Sequence, residues 1–491
     1  MANWKAFAKS WMTHRNPYTG RTWGEEPGII FANLVNEDTE TYLLFNSKVT
    51  QRYYQDIFGE YCQKNKIKDT RVSMGNKDFV RFLTTLQQEK TGEMMRYLKE
   101  DLKIKFPLTS ANYNGNRLTT FHRSIYDVID DHGYHDHAHF PGKPWSHPHR
   151  YGQRTILSSE ASLPVSLFRG RIFGKPFFIT EFNYCAPNIY RAEGGPVMGA
   201  YSALQDCAGI YRYNFCGNIK RLFNPQSGIT LFEMDHDPIM LLSQRIEGVF
   251  MIRGDIAPAG DAVSWKLEKD FWKNFKDAGY PNIRRLGLFS KIGANHEGKT
   301  AIPTLDYQAI SPKEAVGKKL QEFDKNGIAV STTGELRLDT RRKVFAAASP
   351  KSESVVVTRG TALKAKLLEV INPSVFQSVT AIALDGKTLA ESNSIIILQL
   401  TDAIATGTRF TDEDLSTMTH YGKSPLLLRR GSCQIRLAVN RNYQVKALNM
   451  QGDTLGVIPG ELRANTFMFT ADNSRFKGGI VAYHLVPENK K

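Results

Sequence analysis

The sequence predicts an α/β fold: a partial (β/α)8 TIM barrel, about its strands 4–8, followed by an antiparallel β-sandwich. Three observations carry this. Strand-like and helix-like segments alternate through residues 1–255, the order of a parallel sheet with crossover helices. The strand-like runs are continuously apolar, as strands covered on both faces are. From residue 331 to 491 short β-rich runs at regular spacing take over, the pattern of a sandwich.

Each element follows from local signals. Residues before 28 read as one helix and a turn at Asn16-Pro-Tyr-Thr-Gly20, and Ile29–Glu37 as the first strand. Helical stretches cover 39–65 and 76–101, the second with Asn76 as N-cap. Lys105–Asn112 and Ile125–His132 are strands; a long polar loop leads to a helix over Ala161–Ile172 and a strand over Pro176–Asn183. Val197–Asp206 is helical, Gly209–Phe215 a strand and Pro238–Phe250 an apolar helix. The 256–330 stretch reads as a connecting region, helical over Trp265–Phe275 and strand-like over Arg285–Ile292. Strands at Glu335–Asp339, Ser354–Thr358, Val379–Leu384, Ser394–Leu400 and Gln434–Val439 follow, with turns at Asp385-Gly386 and Gln451-Gly452.

Five strands in the first part are too few to close an eight-stranded barrel, so the chain is expected to enter it after a third strand. No G-x-G-x-x-G or P-loop follows any strand, which removes the main support for a nucleotide-binding open sheet. The formal net charge is +15, yet the basic residues are dispersed without aromatic interleaving. General solubility accounts for this better than nucleic-acid binding. No apolar run is long enough for a membrane span. The N-terminal run lacks a positive-then-apolar signal design, and the compartment stays unassigned. The five cysteines are sparse and without C-x-x-C spacing, which argues against a disulfide framework and a cysteine zinc site.

Two apolar runs each deliver a glutamate: Phe31-Ala-Asn-Leu-Val-Asn-Glu37 and Phe177-Phe-Ile-Thr-Glu-Phe-Asn183. A carboxylate there is costly to desolvate unless it opens into a cleft with partners. Paired carboxylates do the work of glycoside hydrolysis, and about 5–5.5 Å between them defines the retaining form. Asn36 is placed to bond a sugar hydroxyl beside the reacting carbon. Asn112 and Asn183, at strand ends, are candidates to hold hydroxyls or orient a glutamate. Trp145, Tyr184 and Tyr190 are candidate stacking platforms for pyranose rings. Tyr211, Tyr213 and Asn214 are candidates for the pocket floor. Cys185 reads as a small buried filler, since no histidine can be placed beside it.

Asn36-Glu37 at one strand end and Ile179-Thr-Glu-Phe-Asn183 at a later one resemble the fourth and seventh barrel strands of clan A retaining glycoside hydrolases, which include cellulase-like and β-galactosidase-like families. The resemblance covers about residues 1–255. It implies Glu37 as acid/base and Glu181 as nucleophile, with His132 and Tyr134 of the sixth-strand loop contacting substrate or nucleophile. It departs from the family in lacking the first three strands.

The expected activity is therefore cleavage of oligosaccharide or polysaccharide by double displacement, with no cofactor. Two alternatives stand beside it. One is a non-catalytic carbohydrate-binding barrel remnant. The other is a metal-dependent hydrolase using the histidine-rich loop 130–149, whose imidazoles and carboxylates are possible ligands.

Overall fold

The computed structural model describes residues 1–39, 44, 47–113, 115–268, 270–274, 283–296, 304–305 and 315–488. In the first part, successive strands lie side by side in chain order. Ala32–Asn33 pairs parallel with Leu108–Thr109, whose Leu108 carbonyl accepts from the Asp127 and Val128 amides. The chain then enters Ile129–His135, parallel to Phe177–Tyr184, which is in turn parallel to Gly209–Arg212. All five expected strands are present, each with shifted or shorter bounds.

The helices between them have clear local causes. Asn76 caps Lys77–Arg96 by accepting from the Asp78 and Phe79 amides, and Phe79, Val80, Phe82 and Leu83 bury one face. Ser47 caps Lys48–Asn65; the expected start of that helix, 40–43 and 45–46, lies outside the described residues. Asp237 caps Pro238–Met251, with Pro238 where its missing N–H costs nothing. This helix packs against Gly194–Leu204 so closely that the Gly195 amide donates to Ser243 Oγ at 2.6 Å.

The C-terminal part holds a nine-stranded antiparallel sheet, running from Ile328–Val330 at one edge to Thr454–Ile458 at the other, and a five-stranded antiparallel sheet. Val355, Val379 and Ile397 from the first share a core with Val370, Ile435 and Phe469 from the second. The expected strands there are found within a few residues of their bounds, and Gly386 and Gly452 take the positive φ their turns require.

The connecting region is where expectation fails. The described residues of Trp265–Phe275 do not form the expected helix: Ala262–Leu267 is a strand, followed by one 3₁₀ turn at Phe271–Asn274. Arg284–Leu288 is a 3₁₀ turn, and the strand begins only at Lys291. Ala262–Leu267 pairs parallel with Lys291–His296 and with Thr304–Leu305. The described residues of 256–330 thus hold a small parallel sheet, a helix, Ala315–Asn326, and the edge strand Ile328–Val330. A buried Trp265 satisfied by the Arg169 carbonyl at 2.9 Å overrides the helical spacing of its neighbours.

Two of the contacts that tie the C-terminal part to the first involve Arg191 and the histidine-rich loop. Buried Arg191 bonds Asp237 at 2.8 Å, Asp402 at 3.1 Å and the Ala403 carbonyl at 2.8 Å. A hairpin, Arg409–Phe410 with Thr417–His420, also pairs antiparallel with His149–Arg150 of the histidine-rich loop.

Candidate active site

Glu37 and Glu181 arrive from different strands and face each other. A register shift in the Ile129–His135 and Phe177–Tyr184 pairing leaves Thr180 unopposed and sets Glu181 level with His132. Such a bulge re-aims the side chain that follows it. Glu37 lies just past its strand at φ +53°, a left-handed conformation unusual outside glycine. Carboxylate oxygens of the two acids and a ring nitrogen of His132 all lie within 4.8 Å of one another.

A network of amides orders this group. The Glu37 amide donates to Asn112 Oδ1 at 2.8 Å, which fixes the side-chain orientation of Asn112, because a backbone N–H can only donate. Asn112 Nδ2 then faces Asn36 Oδ1 at 3.2 Å and His132 Nε2 at 2.9 Å. Nε2 is therefore the acceptor, and Nδ1 carries the imidazole proton. That proton points at Glu37 Oε1, 3.2 Å away, with Glu181 Oε2 at 3.6 Å. With its own oxygen occupied by Asn112, Asn36 donates its NH₂ to Glu181, and the Tyr134 hydroxyl donates to Glu181 Oε2.

The electrostatics separate the two acids. Burial and then the charge of Glu181 raise the Glu37 carboxyl. Burial also raises Glu181, but the bonds from Tyr134 and Asn36 oppose it by favouring the ionised form. Glu37 has the single His132 Nδ1–H against two donors on Glu181, which favours Glu37 as the proton holder and Glu181 as the anion. His132 is pushed down to about 3 by burial and by nearby Arg123, so it is a neutral donor.

These groups open into a cavity of about 450 Å³ lined by Asn36, Glu37, Tyr113, Tyr134, His137, Trp145, Glu181, Tyr213 and Phe232. A cavity of about 500 Å³ beside Gly209–Tyr211 is larger. Its carboxylate, Glu247, is already paired with Arg212 at 2.5 Å.

Most of the residues singled out from sequence meet here, but not all. Asn183 is fully buried and donates to the carbonyls of Tyr213 and Phe232, so it braces the strand end and cannot reach a sugar. Tyr184 is likewise buried, its hydroxyl bonded to Glu193 at 2.9 Å. Neither lines the cavity, because each side chain is held by these buried partners. Tyr190 packs on Phe376, with ring centroids 4.7 Å apart. Tyr213 lines the cavity, whereas Tyr211 and Asn214 are not in its wall. Cys185 is buried, and burial pushes its thiol up, so it is no nucleophile. Tyr113 and Phe232 were missed. Tyr113 follows Asn112 at a strand end and was open to the same reasoning; Phe232 sits in a loop without a local signal.

The histidine-rich loop does not gather into a metal centre of its own. His135 Nε2 lies 2.7 Å from the Arg154 carbonyl and His147 Nδ1 3.3 Å from that of Met418. His149 Nδ1 is taken by the Tyr151 and Tyr421 hydroxyls. Among the described residues, the only loop histidine in a group of three possible ligands is His132. Comparison with protein-family models, with curated proteins and with solved structures found no match.

Proposed function

We propose that the protein is a retaining glycoside hydrolase, its first part a portion of a (β/α) barrel and its last part a β-sandwich. The observation that carries this is the facing of Glu37 and Glu181 within 4.8 Å across an aromatic-lined cavity. Inverting enzymes hold their acids about 6.5–9.5 Å apart to admit a water between them, and retaining ones about 5–5.5 Å. The close pair favours the second.

In this reading the ionised Glu181 attacks the anomeric carbon while Glu37 gives its proton to the departing glycosidic oxygen. The C–O bond to the leaving group breaks as the Glu181–carbon ester forms. Glu37, now ionised, takes a proton from water, whose oxygen displaces Glu181 with a second inversion. Neutral His132 donates to Glu37 in its ionised state and steadies it between the two steps.

The test is turnover of an aryl glycoside panel by wild type and by Glu181→Gly with and without azide. Loss of about 10²–10⁴ in rate, restored by azide as a glycosyl azide of opposite anomeric configuration, is expected. A folded wild type inactive on every aryl glycoside and polysaccharide offered would overturn the reading, and retained sugar binding would then favour a non-catalytic receptor.

One observation supports a second reading: Glu37, His132 and Glu181 together could ligate a divalent cation. The tautomer opposes it, since Nδ1, the nitrogen nearest both acids, bears the proton rather than a free lone pair. Stoichiometric zinc, iron or manganese in purified protein, with activity lost to a chelator, would favour the metal.

A further inference from the structure

We propose that the site takes an uncharged oligosaccharide of several units, laid along an aromatic track formed by Trp145, Tyr213 and Tyr211. This deepens, and rests on, the glycosidase reading above.

Charge is the first argument. The protein carries a formal net charge of +15, which by itself would point to an anionic polymer. The cavity says otherwise. Its wall contains two carboxylates and no lysine or arginine among the described residues. The undescribed neighbours in sequence, 40–43, 45–46 and 114, contain none either. A uronate or sulfate placed here would meet like charge at short range with no cation to pair it, which selects against acidic sugars.

The second argument is a series of aromatic rings, with Trp145, Tyr213 and Tyr211 exposed. Trp145 lies 6.1 Å from His137, His137 5.8 Å from Tyr134, and Tyr134 6.4 Å from Tyr213, centroid to centroid. Register extends the series past the cavity. Ile179 pairs with Ile210 and Phe182 with Arg212, so Tyr211 lies alongside Thr180 and Glu181. Trp145, Tyr213 and Tyr211 are 63%, 46% and 42% exposed. Trp145 is held in this position at φ +62°, a conformation a bulky residue rarely keeps without a reason. Flat rings of Tyr and Trp offer apolar area to pyranose C–H faces and a polar tip to hydroxyls. Tyr211 lies 6.3 Å from Phe178, centroid to centroid, and lines the neighbouring cavity of about 500 Å³, whose wall also holds Arg245 and Glu247, so a ligand touching all three rings extends beyond the first cavity.

The test measures binding of neutral gluco-, manno- and xylo-oligosaccharides, disaccharide to hexasaccharide, to Glu181→Gln. Polygalacturonate and heparin serve as anionic probes. Affinity should grow with length, and Tyr211→Ala in the same background should remove about tenfold of the gain at the long end. Neutral chains should outbind the anionic probes at physiological salt. Affinity that stops growing at the disaccharide, or an anionic probe binding better, overturns the proposal. A change of solution mass in Tyr211→Ala also overturns it, by marking Tyr211 as a protein contact. Aryl glycosides hydrolysed without length dependence would sink the track and leave the hydrolase. Length-dependent binding without turnover would do the reverse.

Discussion

The Glu37 backbone N–H donates to the Asn112 side-chain oxygen at 2.8 Å, and that one bond fixes where the protons of the site lie. It orients the Asn112 amide, which sets the His132 tautomer and leaves Asn36 free to donate to Glu181. A buried residue outside the cavity wall thereby assigns a donor to each acid.

Asn112→Asp tests this relay. The carboxylate still accepts from the Glu37 amide, but it cannot donate to His132 Nε2. The imidazole proton is drawn to Nε2, or the ring takes a second proton. The His132 titration, near 3 in the wild type, should move up in ¹⁵N NMR spectra. The rate should fall by about 100-fold. An unmoved titration with full activity would show that the amide does not set the tautomer.

Tyr134→Phe removes a hydrogen bond that favours ionised Glu181. The Glu181 carboxyl then rises further, and on the proposed mechanism its attacking ionised form is lost to protonation at higher pH. The acid limb of kcat/KM against pH should move up by about one unit, while the alkaline limb, set by deprotonation of Glu37, stays in place. A downward shift of the acid limb contradicts the assignment of roles.

Glu193 is a stability determinant remote from the chemistry. Burial raises its carboxyl from 4.5 to about 7, against the bonds from Thr155, Ile156 and Tyr184. Between those values the folded chain holds a proton that the unfolded chain has released, so this group's contribution to stability declines as pH rises from 4.5 to about 7. Glu193→Gln keeps a neutral side chain throughout. Its melting temperature relative to wild type should improve across that interval; a constant difference would count against the buried-acid account.

Gly195→Ala should destabilise the fold severely. A Cβ there would come within 1.9 Å of the Ser243 carbonyl oxygen, and backbone on a packed helix cannot step aside cheaply. A loss of about 1–3 kcal/mol or more is expected by chemical denaturation. Gly248→Ala, on the same helix as Ser243 with nothing within 4 Å of its Cβ, is the control and should be neutral or mildly stabilising.

Glu37 and Glu181 were legible in the sequence because an acid ending an apolar strand breaks a local pattern for which burial alone gives no reason. The five parallel strands, the Asn76 cap and the β-rich C-terminal part were legible for the same kind of reason: period, caps and turns are local. What the tertiary structure decided was direction. A bulge at Thr180 set Glu181 level with His132, and no sequence period encodes a single unpaired residue; Asn183 and Tyr184 were taken into the core by the Tyr213 and Phe232 carbonyls and by Glu193. The strand at Ala262–Leu267 was hidden because its partner, Lys291–His296, is distant in the chain. The protonation pattern was hidden too, since it follows from an amide 75 residues away from Glu37. Local order is written in neighbouring residues; orientation, pairing and charge state depend on which distant groups the fold brings into contact.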